Sequence, residues 1–168
     1  MKILHLHVTL QGKRNYSALT DELKNNIDFL MAELDRELAE VDVLIRLAQS
    51  ASLDQIQTMA GAVVIHGMYT GIESIFLKLY QAAKGRFAMT EQWHRTLLDK
   101  VGGSSDDAIQ IISKDSVEKL NDYLAFRHRF RHNYGWKLNL MLVQNKLQDL
   151  PDIWQQVKKE IQVYLKKI

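Results

Sequence analysis

Cysteine is absent from this chain, which excludes disulfide scaffolds, thiol nucleophiles and thiolate-held zinc, and fits a reducing compartment. Proline occurs once, at Pro151, so few helix-breaking positions interrupt the pattern. No long purely apolar run is present either: Met59 to Leu77 is interrupted by His66 and Glu73, which argues against a membrane span. The first ten residues alternate apolar and polar, but His5 and His7 break the run and no small-residue cleavage site follows. The expectation is a cytoplasmic protein that does not engage a membrane. Acidic residues are missing from one place above all. From Tyr123 through Gln148, 26 residues pass without an Asp or Glu while Arg127, Arg129, Arg131, Lys137 and Lys146 accumulate. That segment holds +5 in a chain whose total is +2, so everything outside it is net −3.

What is present reads as helix. At 168 residues the chain fits one domain with one core. Leu23, Ile27, Leu30, Leu34, Leu38, Val41, Ile45 and Ala48 recur at three- and four-residue steps, predicting a long amphipathic helix from about Ser17 to Ser50. Ser17 or Thr20 can cap it, with Asp21 and Glu22 in its first turns. Residues 1–16 before it read as a short edge strand or a mobile arm, and residues 17–168 as the helical domain. A second helix, Leu53 to Lys84, carries Ala62, His66, Tyr69, Ile72, Phe76, Leu79 and Ala83 on one face and stops at Gly85. These two long elements should pack as an antiparallel hairpin.

Three or four shorter helices complete an all-α antiparallel bundle. Thr90 can cap one that buries Trp93, Leu97, Leu98 and Val101 and ends at Gly102-Gly103-Ser104-Ser105. Ser113 can cap another, with Val117, Leu120 and Leu124 inward. Gly135 interrupts that pattern and Leu138 to Leu147 resumes it. Pro151 then stands where a last helix would begin, with Ile153, Trp154, Val157, Ile161 and Leu165 on one side.

The chemistry is concentrated in Arg127-His128-Arg129-Phe130-Arg131-His132-Asn133-Tyr134. Three guanidiniums suit phosphate, and an imidazole exchanges protons near neutral pH. RNA carries its own nucleophile in the 2′-hydroxyl, so a base, an acid and a cation on the non-bridging oxygens suffice to cleave it without a metal. Arg127 and His132 lie five residues apart, roughly 140° around an ideal helix. Two facing copies of the motif would relieve that mismatch. His128 and His132 share a face, but no third ligand accompanies them, so no metal is expected. Glu73 shares the face that carries the apolar stripe, where a carboxylate needs a partner; Arg127 or His132 could supply it, or Glu73 could sit at the stripe's edge and reach solvent or a backbone amide. Trp136 is placed to stack on a base, whereas Trp93 and Trp154 fit core packing.

Arg127-His128-x-x-x-His132-x-Tyr134 resembles the Arg-x4-His-x-Tyr signature of the HepT-like branch of the HEPN superfamily. His66 through Glu73 looks like that family's early helix, Trp93 through Leu98 like its middle element, and Phe126 through Gly135 like its active-site segment. The resemblance covers about Ile65 to Leu140. It implies a HEPN-like helical fold and a homodimer in which two motifs face one cleft. It also implies a prokaryotic ribonuclease toxin with RNA as substrate, and a minimal nucleotidyltransferase (MNT) as antitoxin. On this resemblance Arg127 and His132 are the catalytic pair. His128, Arg129, Arg131, Asn133 and Glu73 would support them or bind RNA, and Tyr134 would be the site of AMPylation. Catalysis would need no cofactor; ATP and Mg would belong to the partner, which would leave covalent AMP on Tyr134. The alternative within the same resemblance is a non-catalytic module that binds nucleotide or substrate for a nucleotidyltransferase.

Overall fold

The computed structural model describes the backbone of residues 2–105, 107–132 and 138–168, and within these spans the side chains from Thr20 onward except that of His132. Among the described residues there are six α-helices and no strand: α1 Lys2–Glu40, α2 Asp42–Ser50, α3 Gln55–Lys84, α4 Trp93–Val101, α5 Lys114–His132 and α6 Leu140–Leu165. The all-α bundle expected from periodicity is what forms.

The helix α3 is the spine. Asp54 caps it by accepting from the Gln57 N–H at 2.8 Å while the Gln57 side chain accepts from the Asp54 N–H at 2.9 Å, a reciprocal capping box. Gly85 ends it at φ 85°, a conformation that a side chain would disfavour. Ile65, Met68, Ile72, Ile75 and Leu79 are buried along it. By length and hydropathy α3 could cross a membrane, yet those apolar side chains are the core of the bundle, packed against helices on several sides. Each such side chain contributes about 1.5–3 kcal/mol when fully buried.

Across this spine α1 runs antiparallel, since Leu34 meets Gly71 and Glu37 meets Gly67. Glycine at 71 matters because a methyl there would collide with Leu34. On another side, Gly61 admits Val143 and Leu147 of α6. The Trp154 indole donates to Asp35 at 2.8 Å and Lys158 reaches the same carboxylate at 2.5 Å, tying α6 to α1. Burial raises the Asp35 pKa, but hydrogen bonds from Lys158 and Trp154 outweigh it, so the carboxyl lies below its usual range. The helix α5 is anchored by the Tyr123 hydroxyl, which donates to the Lys146 carbonyl at 2.7 Å.

Residues 2–16 form the first part of α1. Two local expectations are corrected. The helix expected over 17–50 breaks at Val41, whose φ of −101° and ψ of 9° leave the helical region. The break turns α2 onto α6, where the Gln144 amide donates to the Ala48 and Ala51 carbonyls at 2.8 and 3.0 Å. Finally, Pro151 lies inside α6 and does not start a helix. Buried Val143, Leu147 and Leu150 before it and Ile153, Trp154 and Val157 after it hold one continuous stripe against the core, which offsets the missing N–H.

Candidate functional site

Three helices converge on one buried polar cluster. Glu73 stands on α3, His94 on α4 and Arg127 on α5. Each is there for a sequence reason. Glu73 follows His66 and Tyr69 at helical spacing on the inward face of α3. His94 opens the stripe that continues through Leu97, Leu98 and Val101, all buried. Arg127 lies one residue past buried Phe126, near the C-terminal end of α5, where the helix dipole favours cations.

The geometry fixes the protonation pattern. The His94 Nδ1 lies 2.6 Å from Glu73 Oε1, and its Nε2 lies 2.9 Å from Arg127 Nη1. A guanidinium can only donate. His94 Nε2 must therefore accept, so the ring's single N–H is on Nδ1 and is donated to Glu73. The imidazole is neutral, and its contact with Glu73 is a hydrogen bond between a carboxyl group and an uncharged ring. Burial, then the charges of Arg127 and Arg131, lower the His94 pKa to about 4, in keeping with that tautomer. Trp93 lies over the ring with centroids 3.8 Å apart.

Glu73 is 5% exposed. Burial raises its pKa to about 7, although Arg127 and Arg131 pull the other way. The Arg127 Nη2 stays 3.9 Å from Glu73 Oε2, beyond hydrogen-bond reach. His94 thus makes the bond that the carboxylate does not. Both Nη atoms of Arg127 face the His94 and Glu73 pair, while its Nε is buried with no acceptor among the described residues. The Arg127 side chain as a whole is 11% exposed.

Around this cluster, Tyr69 is buried, and burial together with Glu73 pushes its phenol well above the usual range. His66 packs on Phe130 with ring centroids 5.3 Å apart. Burial and the charges of Arg127 and Arg131 hold its pKa below normal. Neutral imidazoles and guanidiniums therefore coexist at one edge of α3.

The structure brings Glu73 and Arg127 together, as the inward carboxylate required, and adds Arg131 through its field. Arg129 points elsewhere. Its Nε donates to the Ala125 carbonyl at 3.3 Å, and its charge acts on Lys146. His128 is exposed on α5. The backbone of His132 closes α5, but its side chain, together with Asn133, Tyr134 and Trp136, lies outside the described residues. Sequence reasoning did not single out His94. The usable signal was its place at the head of the apolar 97, 98, 101 stripe, where a polar residue requires a partner. Among the described residues no cluster of three or more metal-ligating side chains occurs.

No curated protein and no solved structure matches this chain. A family model described as HepT-like protein does match, over residues 60–168. That span takes in α3 from residue 60 onward together with α4, α5 and α6, and so all three members of the buried cluster. This chain is a member of the HepT-like family, a HEPN-type family.

Proposed function

We propose that this protein is a metal-independent endoribonuclease toxin, switched off by a nucleotidyltransferase antitoxin that AMPylates Tyr134. The observation that carries the reading is Arg127, a largely buried guanidinium held by a neutral imidazole instead of a carboxylate. A structural arginine is normally neutralised by direct pairing. This one is hydrogen-bonded by an uncharged ring, with the Glu73 carboxylate held 3.9 Å away, so its charge is only partly offset, which suits a phosphate-binding group. Membership in a HEPN-type family, a class associated with ribonuclease activity, supports the same reading.

In the proposed reaction His132 takes the proton from a ribose 2′-hydroxyl, and the 2′-oxygen forms a bond to phosphorus. Arg127 and Arg131 stabilise charge on the non-bridging oxygens. The bond from phosphorus to the 5′-oxygen breaks, and that oxygen takes a proton from an imidazolium, His132 of either copy. Products are a 2′,3′-cyclic phosphate and a 5′-hydroxyl. Two copies facing one cleft would supply two motifs. The exposed Ile56, Met59 and Val63 at helical spacing on α3 suit such a helix-on-helix contact. An AMP on Tyr134 would put a phosphodiester and a purine where substrate phosphate and base belong.

The test is cleavage of RNA in EDTA by purified protein, with His132→Ala alongside. Wild type should release 2′,3′-cyclic phosphate ends and the variant should not. Cleavage that persists in the variant would refute the assignment. Tight association with the nucleotidyltransferase and no loss of RNA would point to the non-catalytic binding module.

A further inference from the structure

We propose that His94 is a positioning residue for the proposed ribonuclease site: its Nε2 acceptor fixes the Arg127 guanidinium without adding a second negative charge beside it, so that the cation is held ready for the substrate phosphate. The proposal rests on the ribonuclease reading for the identity of the ligand, and on distances alone for the positioning.

Three observations carry it. First, the only hydrogen bond within reach of the Arg127 Nη groups among the described residues is to His94 Nε2, at 2.9 Å; the Glu73 carboxylate is a full ångström further away. Second, the acceptor exists only because Glu73, 2.6 Å from Nδ1, draws the ring proton to that side. Glu73 thus acts on Arg127 through His94. Third, the Arg127 Nε is buried with no acceptor among the described residues, so within them the bond to His94 is what orders the guanidinium.

Interposing an imidazole has a chemical consequence. A carboxylate in direct contact would hold the guanidinium equally well, but it would offset its charge and compete with phosphate for the same donors. A neutral imidazole orders the side chain and leaves the charge available. The groups facing His94 are Glu73 from α3 and Arg127 and Arg131 from α5, with Trp93 stacked on the ring.

The experiment compares wild type, His94→Ala and His94→Gln, each first shown to be helical by circular dichroism. Glutamine can accept from Arg127 through Oε1 and donate to Glu73 through Nε2, so it should restore what alanine removes. Two measurements are made. Long-range 1H–15N spectra should show wild-type His94 as the Nδ1–H tautomer at neutral pH. Arg127 guanidinium signals should be distinct in wild type and His94→Gln, and averaged in His94→Ala. In RNA cleavage, His94→Ala should lose kcat roughly 10- to 100-fold with KM nearly unchanged, and His94→Gln should recover most of it. An imidazolium or Nε2–H form at neutral pH, or ordered Arg127 signals in His94→Ala, overturns the positioning role. So does a His94→Gln protein that is folded yet as slow as His94→Ala, because the ring would then be doing more than positioning. Absence of cleavage by wild type, with the spectra as expected, refutes the ribonuclease reading and leaves the positioning of Arg127 established.

Discussion

Replacing Glu73 by Gln keeps an acceptor for the His94 Nδ1–H but removes one titrating carboxyl, which makes the balance between burial and the nearby guanidiniums measurable. Burial raises the Glu73 pKa from 4.5 to about 7, against the pull of Arg127 and Arg131. Because the folded value is the higher one, the protonated carboxyl contributes stability below about pH 4.5, and that contribution is lost as pH rises through about 7. Between pH 8 and pH 5 the swing is roughly 2–3 kcal/mol in favour of the lower pH. His94 works in the opposite direction. Its folded pKa is depressed from 6.5 to about 4, so its neutral form stabilises above 6.5 and loses that contribution as pH falls toward 4. Over the same interval this is about 2 kcal/mol against the lower pH. In wild type the two nearly cancel, since near pH 5.5 each state holds one titrating proton on the pair: on Glu73 when folded, on His94 when unfolded. In Glu73→Gln only the His94 component remains. The variant should therefore be more stable than wild type at pH 8 and lose roughly 2–3 kcal/mol relative to it by pH 5. Urea unfolding followed at 222 nm, at several pH values and constant ionic strength, measures this. A difference that does not change with pH would refute the reasoning. So would a variant weaker than wild type at pH 8, because Arg127 would then be holding Glu73 ionised and burial would not be the larger effect.

Three substitutions test the packing in the same assay. Gly71→Ala places a methyl against Leu34; its helix-propensity gain of about 1 kcal/mol is smaller than the ~1–3 kcal/mol cost of overpacking, so a net loss is expected. Gly67→Ala meets only the movable carboxylate end of Glu37 and should be neutral or stabilising, and the reverse order of these two would contradict the α1 to α3 packing. Trp154→Phe removes the indole donor to Asp35 from a fully buried position and should cost about 2 kcal/mol. Its effect on RNA cleavage should be small, because Trp154 joins α6 to α1 away from Arg127; a large loss of activity in a folded variant would show the two regions to be coupled.

Periodicity revealed the elements whose apolar stripes face the core in register, and failed where a distant helix decides. The helix α3 was legible from its stripe and from Gly85, and the start of α5 from Ser113, whose Oγ accepts from the Ser116 N–H at 3.2 Å. The break at Val41 was not legible, because the stripe of Leu38, Val41, Ile45 and Ala48 runs straight through it; what turns the chain is Gln144, 91 or more residues away in sequence from the backbone it binds. Pro151 misled for a related reason. Local chemistry favours proline at a helix start, yet in α6 a helix-interior cost of ~3 kcal/mol is exceeded by side chains each worth ~1.5–3 kcal/mol on either side of it.

The site follows the same logic. A buried Glu73 on an apolar face needs a partner, and Arg127 comes within 3.9 Å of it. Which group would touch it depended on how α3, α4 and α5 cross, and no single-helix pattern contains that angle. His94 was the answer, and it carried the same mark as Glu73, a polar residue on the inward stripe of a short helix. Two such interruptions on separate helices constrain each other. Neither can be buried alone without a large desolvation cost, while together they satisfy the ring Nδ1 and one carboxyl oxygen, and Arg127 satisfies Nε2. A basic cluster rich in arginine cannot announce this in sequence, because its visible feature is charge. What sets Arg127 apart from Arg129 and Arg131 is the uncharged acceptor that the other two helices bring to it.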